Sequence, residues 1–182
     1  MQLTRESIIT AAIEILDEYG LGDMTMRRLA KHLKVVPGAL YWHIPNKQSL
    51  IEAIAAQILA PVLDTAGVEK QSALELCARL RATMIAHRDG AEVVSAALPV
   101  GTMAQQLIDA LNATDTLSKM PPDTSQTVAI TLLNFIMGAT MHEQSTKQLQ
   151  AAIGAQAAAE SSYEKQFHAG LELILAGVSV LG

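Results

Sequence analysis

Apolar residues in this chain recur three and four positions apart through nearly its whole length, and the runs are broken by glycines, prolines and an Asp-Gly pair. That spacing places side chains along one stripe of an α-helix. Alternation with period two is hard to find. Aromatic residues make up only 3% of the chain, and its apolar content is carried by Ala, Leu, Ile and Met, most of them good helix formers. The expectation is an all-α fold. Half of the 182 residues are hydrophobic and only 17% are charged, which leaves too little polar surface for a lone monomer to cover itself. A buried interface between copies is therefore expected.

The pattern resolves into successive helices. Residues 4–19 carry Ile8, Ala12, Ile15, Leu16 and Tyr19 on one stripe, with Thr4 as N-cap and Gly20 as C-cap. Thr25 caps a short helix over 26–33, whose apolar face is Met26, Leu29, Ala30 and Leu33. Lys34-Val35-Val36 reads as a turn. Pro37 then opens a helix through GALYWHI that Pro45 stops. Asn46 caps the next helix, which runs to about Leu63 with Pro61 bending or ending it. Further helices are expected over 69–87, 91–97, 102–113, 123–145 and 160–180. The Ala/Gln-rich stretch 148–159 reads as a weak helix or a loop, and there is no internal repeat. Two domains are expected, residues 1–47 and residues 48–182.

Net charge is −5, but it is unevenly placed. Residues 1–50 hold six basic and five acidic side chains, which leaves seven basic and thirteen acidic ones to the remainder. Within the first fifty, every acid precedes residue 24, and five of the six basic residues follow it. The acidic total counts against nucleic acid, yet phosphates respond to the local field, and the block from Arg27 to Lys47 is basic.

Two short helices joined by a tight turn in such a setting make a helix-turn-helix. Its second helix needs small residues where it approaches base edges, which Pro37, Gly38 and Ala39 supply. Tyr41 and His43 reach for phosphates, and Lys47 adds a cation at the next helix N-terminus. Arg27 leads the preceding helix and suits a guanine edge. The candidate DNA-binding set is Thr25, Arg27, Arg28, Gly38, Ala39, Tyr41, His43 and Lys47. Leu40 and Trp42 are expected to face inward and lock the small core.

Other chemistries find little support. Cys77 is the single cysteine, so no internal disulfide forms, and it reads as a small buried hydrophobe. The start lacks a signal-peptide pattern, and the most lipid-like stretch, 127–141, is too short to span a bilayer. A cytoplasmic protein with no membrane partner is expected. His142-Glu143 begins an HExxH-like string that ends in Thr146, so a zinc-protease reading fails. Paired carboxylates, a nucleophile triad and a phosphate loop are missing, so neither an enzyme nor a metal or other cofactor is expected. His87 is assigned to ordering the Arg88-Asp89-Gly90 turn.

The run TMRRLAKHLKVVPGALYWHIPNKQSLIEAI (25–54) resembles the DNA-binding segment of the TetR family of transcriptional regulators, and within it the tetracycline-repressor type. The tetrapeptide LYWH followed by Asn46-Lys47 carries the resemblance most tightly. The segments AHRDGAEV (86–93) and GLELILAG (170–177) resemble that type's regulatory domain. The resemblance implies DNA contacts at Arg27, Gly38, Ala39, Tyr41, His43 and Lys47. It also implies a homodimer joined by a four-helix bundle built from the last two long helices, and repression relieved by a small molecule.

The sequence departs from the type at Met26, Pro37 and Ala39, which leaves the operator sequence open. It also departs in the pocket: the positions of the drug- and magnesium-binding residues read Leu63, Leu76, Val94 and Leu98. Aliphatic side chains offer a metal chelate no ligands in exchange for water, so a small apolar or amphipathic effector without metal is expected. Candidate ligand-binding residues are Leu63, Met84, Val94, Leu98, Met103, Asn134, Phe135, Met137, Met141 and His142. The alternative is a DNA-binding dimer with no small-molecule effector, its C-terminal part serving only dimerisation.

Overall fold

The computed structural model describes residues 3–64, 71–154 and 160–181. Within them it places nine α-helices and no strand: α1 (Arg5–Tyr19), α2 (Met26–His32), α3 (Pro37–Tyr41), α4 (Lys47–Leu63), α5 (Ala73–Ile85), α6 (Gly90–Ala97), α7 (Met103–Asn112), α8 (Pro122–Ile153) and α9 (Glu160–Leu181). The all-α expectation holds.

The first three helices form a small head. The Thr4 hydroxyl accepts the Ser7 N–H at 3.1 Å, and Ser7 returns a bond from the Thr4 N–H at 3.0 Å, so two of α1's free donors are satisfied. Thr25 accepts the Arg28 N–H in the same way at the start of α2. Ile8, Ala12, Ile15 and Leu16 from α1 are buried in one cluster with Leu29 and Ala30 from α2 and Leu40 from α3. The turn between α2 and α3 is tight. Lys34 takes a left-handed φ of 56°, and the Val35 N–H reaches back to the Ala30 carbonyl at 3.0 Å. α3 ends at Tyr41, earlier than the GALYWHI pattern suggested. Ile44 then turns inward, its N–H bonded to the Leu40 carbonyl at 2.8 Å and its side chain buried.

α4 belongs to both halves. Asn46 caps it through the Ser49 N–H at 2.8 Å. Leu50, Ile54, Leu59 and Val62 are fully buried along its length, each worth about 1.5–3 kcal/mol of apolar burial. The helix packs most extensively on α6 and α5 and also touches α1. α4 ends at Leu63, as expected, with Pro61 two residues before its end. The Arg79 guanidinium donates to the Pro61 carbonyl from outside.

α5 starts later than expected, at Ala73, behind a reciprocal cap. Ser72 accepts the Glu75 N–H, and the Glu75 carboxylate accepts the Ser72 N–H at 3.0 Å, which holds the Glu75 carboxyl below its ordinary range. α8 is longer than the apolar pattern alone indicated, running through 146–153, while residues 155–159 of the Ala/Gln-rich stretch lie outside the described residues. One stripe of α8 is buried, including Val128, Leu132, Ile136, Thr140 and Glu143. α9 packs on α8 and α5. There Phe167 stacks on Phe135 with centroids 5.6 Å apart, and a Cβ on Gly170 would lie 2.3 Å from the Phe135 ring. Glu143 is buried but paired, with Arg81 at 2.7 Å and Lys147 at 2.8 Å. Removing Arg81 or Lys147 would leave this buried carboxylate with one counter-ion in place of two.

Candidate nucleic-acid interface

The outer edge of the head is built by α2, the Lys34 turn, α3 and the start of α4. Arg27, Lys31, Lys34, His43 and Lys47 are all exposed along it. Tyr41 is 49% exposed, Pro37 and Gly38 are exposed, and Ala39 is half-buried. Thr25 is exposed, with its hydroxyl oxygen occupied as the α2 cap. Arg28 is the most restrained of the candidates. Its guanidinium bonds the Asp23 carboxylate at 2.8 Å and lies 4.3 Å from the centroid of the Tyr19 ring. Together with Ile15, Arg27, Lys31 and His32, these two residues line a groove of about 530 Å³. Of the sequence-derived set, Thr25, Arg27, Gly38, Tyr41, His43 and Lys47 are exposed, and Arg28 and Ala39 are half-buried.

Trp42 corrects the sequence reading. Leu40 is fully buried, as expected, but Trp42 is 91% exposed. Because α3 ends at Tyr41, the chain turns at Trp42 and Ile44, not the indole, fills the core. Val36, part of the turn that the sequence predicts over 34–36, is 72% exposed. Trp42 and Val36 are thus two of the large apolar side chains that the fold leaves in water. The signal available in the sequence was Pro45, which forces an early end to the helix and so frees Trp42 from its stripe.

A second polar cluster fastens the head to the rest. The Asp17 carboxylate, on the last turn of α1, accepts the Arg88 N–H at 3.1 Å and faces His87 Nδ1 at 3.1 Å. The Arg88 guanidinium donates to the Glu18 carbonyl at 3.0 Å. Asp89, with a left-handed φ of 55°, accepts the Leu21 N–H at 2.7 Å on one carboxylate oxygen and the Gln148 amide of α8 on the other. Gln144 of α8 completes the loop, accepting the Ala91 N–H at 3.0 Å and donating to the His87 carbonyl at 2.8 Å. The two glycines here are dictated by space. A Cβ at Gly20 would meet the Asp89 carboxylate at 2.7 Å, and one at Gly90 would meet the Met84 carbonyl at 2.2 Å. His87 does order its turn, but by joining it to α1.

The ligand-pocket candidates divide in two. Met84, Val94 and Met137 are buried in the core, and Leu63, Leu98, Met103, Phe135 and Met141 pack partly buried against it. Asn134 and His142 lie on the exposed side of α8. Among the described residues no cluster of three or more His, Cys, Asp or Glu side chains could hold a metal ion, and no helix is long and apolar enough to cross a membrane.

A head with a helix-turn-helix edge, set on a larger helical body through a shared helix and a hydrogen-bonded junction, defines a helix-turn-helix regulator. The pattern of the bacterial regulatory proteins of the tetR family matches residues 8–54, and that of the tetracyclin repressor-like C-terminal domain matches residues 64–162. The chain belongs to the TetR family. It is 29% identical to the class E tetracycline repressor of Escherichia coli over 197 residues, covering 98% of this chain and 92% of that one. It spans less than half the length, 44%, of the class D repressor of Escherichia coli and the class H repressor of Photobacterium damsela subsp. piscicida, both 42% identical over 97 residues. Among solved structures, Mycobacterium smegmatis BioQ is similar over the whole of both chains, with a TM-score of 0.84 and 35% identity. BioQ with its natural double-stranded DNA operator matches at a TM-score of 0.76 and 32% identity, over 98% of this chain and 99% of that one.

Proposed function

We propose that this chain is a transcriptional repressor that binds pseudo-palindromic operator DNA as a homodimer and is released by a small, mostly apolar effector. The observation that carries the reading is the head's outer edge. Trp42 and Val36 are exposed on the same short segment as the exposed cations Lys34 and Lys47, while Leu40 and Ile44 close the core beneath. Phosphates suit the rim and base edges suit the centre.

The dimer is supported by the unpartnered side of α8 and α9. Ile130, Leu149, Ile153 and Leu173 are exposed there, and Gly138 and Gly177 have open space before them. Two heads on one symmetric body would meet half-sites one helical turn apart, about 34–36 Å. The residues of the head division are 1–47, with 48–182 forming the body. Effector release would act through the two physical links just described, α4 and the Asp17/Asp89 junction.

The test is a selection of duplexes bound by the full chain, followed by titration of the best one. Expected are a dimer in sedimentation, retardation of a pseudo-palindromic duplex, and loss of that retardation when Arg27, Tyr41 and Lys47 are replaced together by Ala. A library compound that raises the melting temperature should weaken duplex binding, and the duplex should weaken the compound by the same factor, corresponding to about 1–3 kcal/mol of coupling. A stabilising compound that leaves duplex affinity unchanged would overturn the effector part and favour a dimer without induction.

A further inference from the structure

Building on the operator-binding reading, we infer that residues 36–42 select their half-site by packing apolar groups against thymine methyls, with Val36 and Gly38 as the specificity-determining positions. The segment reads V-P-G-A-L-Y-W. Leu40 is buried. What remains outside carries only two side-chain hydrogen-bonding groups, the Tyr41 hydroxyl and the Trp42 indole N–H, and neither can make a bidentate pair with a base edge.

In the major groove both kinds of base pair present hydrogen-bonding groups, and Val36, Pro37 and Ala39 have no side-chain group to meet them, so those groups do not tell one pair from the other here. The thymine C5 methyl is the one apolar group in the groove, and it fits such a surface. Arg27, Lys34 and Lys47 precede and follow this segment in the chain and are exposed, which leaves their charges available to phosphates.

Gly38 makes the same point independently. It is the second residue of α3, where its backbone is helical and alanine would fit as well. Its φ is not in the left-handed region, and a Cβ built on it meets nothing within 4 Å. Nothing in the folded chain requires a glycine there. A base edge brought close to the backbone does.

The experiment starts from a duplex selected out of a random library by the full-length chain at fixed salt. Each thymine is then replaced in turn by uracil, which keeps the pairing and deletes the methyl. Affinity should fall about fourfold per methyl at the positions facing residues 36–42, the ratio equivalent to one buried methyl group, and should stay level elsewhere. In Val36→Thr the uracil penalty should shrink toward one at a single position of each half-site. Gly38→Ala should melt at the same or a higher temperature than the parent yet bind the selected duplex at least tenfold more weakly. If every uracil duplex binds like its parent, or Gly38→Ala binds undiminished, methyl reading is wrong while operator binding stands. If no sequence is enriched at all, the operator reading falls first and this one falls with it.

Discussion

The reading edge and the Asp17/Asp89 junction use polar and apolar groups in opposite ways. At the edge, Val36 and Trp42 stand outside, and the cations of Arg27, Lys34 and Lys47 face solvent. At the junction, two carboxylates, two side-chain amides and the N–H groups of Leu21, Arg88 and Ala91 are taken up by partners far away in sequence. The two regions even share an unusual element, a non-glycine residue in the left-handed region. Lys34 is exposed, whereas the Asp89 side chain is bonded to both the head and α8. An edge left unsatisfied is a surface waiting for a partner. A junction satisfied throughout holds two bodies in one relation.

That contrast can be broken by substitution, and the junction should respond most strongly. Gly90→Ala would push a Cβ to 2.2 Å from the Met84 carbonyl. Overpacking against backbone should destabilise the fold by about 3 kcal/mol, read as a fall in melting temperature of roughly 6–12 °C. Asp89→Ala removes the acceptor for the Leu21 N–H and the tie to Gln148, and it places alanine at φ 55°. A loss of about 2 kcal/mol is expected in urea unfolding, with Asp89→Asn recovering much of it, since asparagine tolerates the left-handed region and keeps one acceptor. If Asp89→Ala melts like the parent, the junction is not a fastening.

The edge should behave in reverse. Trp42→Ala and Tyr41→Ala should each change stability by less than about 0.5 kcal/mol, as for surface sites without internal partners. Either should weaken duplex binding at least tenfold in a gel-shift titration.

Cys77 sharpens the contrast by reporting on the body alone. It is fully buried, and burial pushes its thiol from 9.0 up to about 12. The native thiol should therefore resist disulfide-exchange reagents at pH 8 until the body opens. Edge variants should leave the labelling rate unchanged, whereas Asp89→Ala should raise it by roughly 5–30-fold if opening is global. Linkage adds a sign. The unfolded chain loses this proton near pH 9 and the folded one only near 12. The contribution is whole below pH 9, and stability should fall as pH rises through that window.

Most of what is local was legible in the sequence. Thr4, Thr25 and Asn46 cap the helices they precede, and Pro37 opens α3, because capping is decided within three or four residues. The family resemblance carried by LYWH and by the segment 86–93 agrees with the matched domains, which cover residues 8–54 and 64–162. The apolar pattern points Trp42 inward, but a hydrophobic side chain is not bound to be buried, and the indole is 91% exposed. The junction was hidden for another reason. Its bonds join residues 53–71 positions apart, and no periodicity or cap rule reaches that far. The same distance concealed the pairing of Arg81 with Glu143, 62 residues on.

The one tryptophan of this chain stands almost bare at the tip of its head. All indole emission therefore originates at a single spot, and it comes from a solvated ring. A shift or quench of that light on adding a ligand or a duplex would record an event at the tip itself, free of any background from the interior, and the unlabelled protein is already its own optical probe.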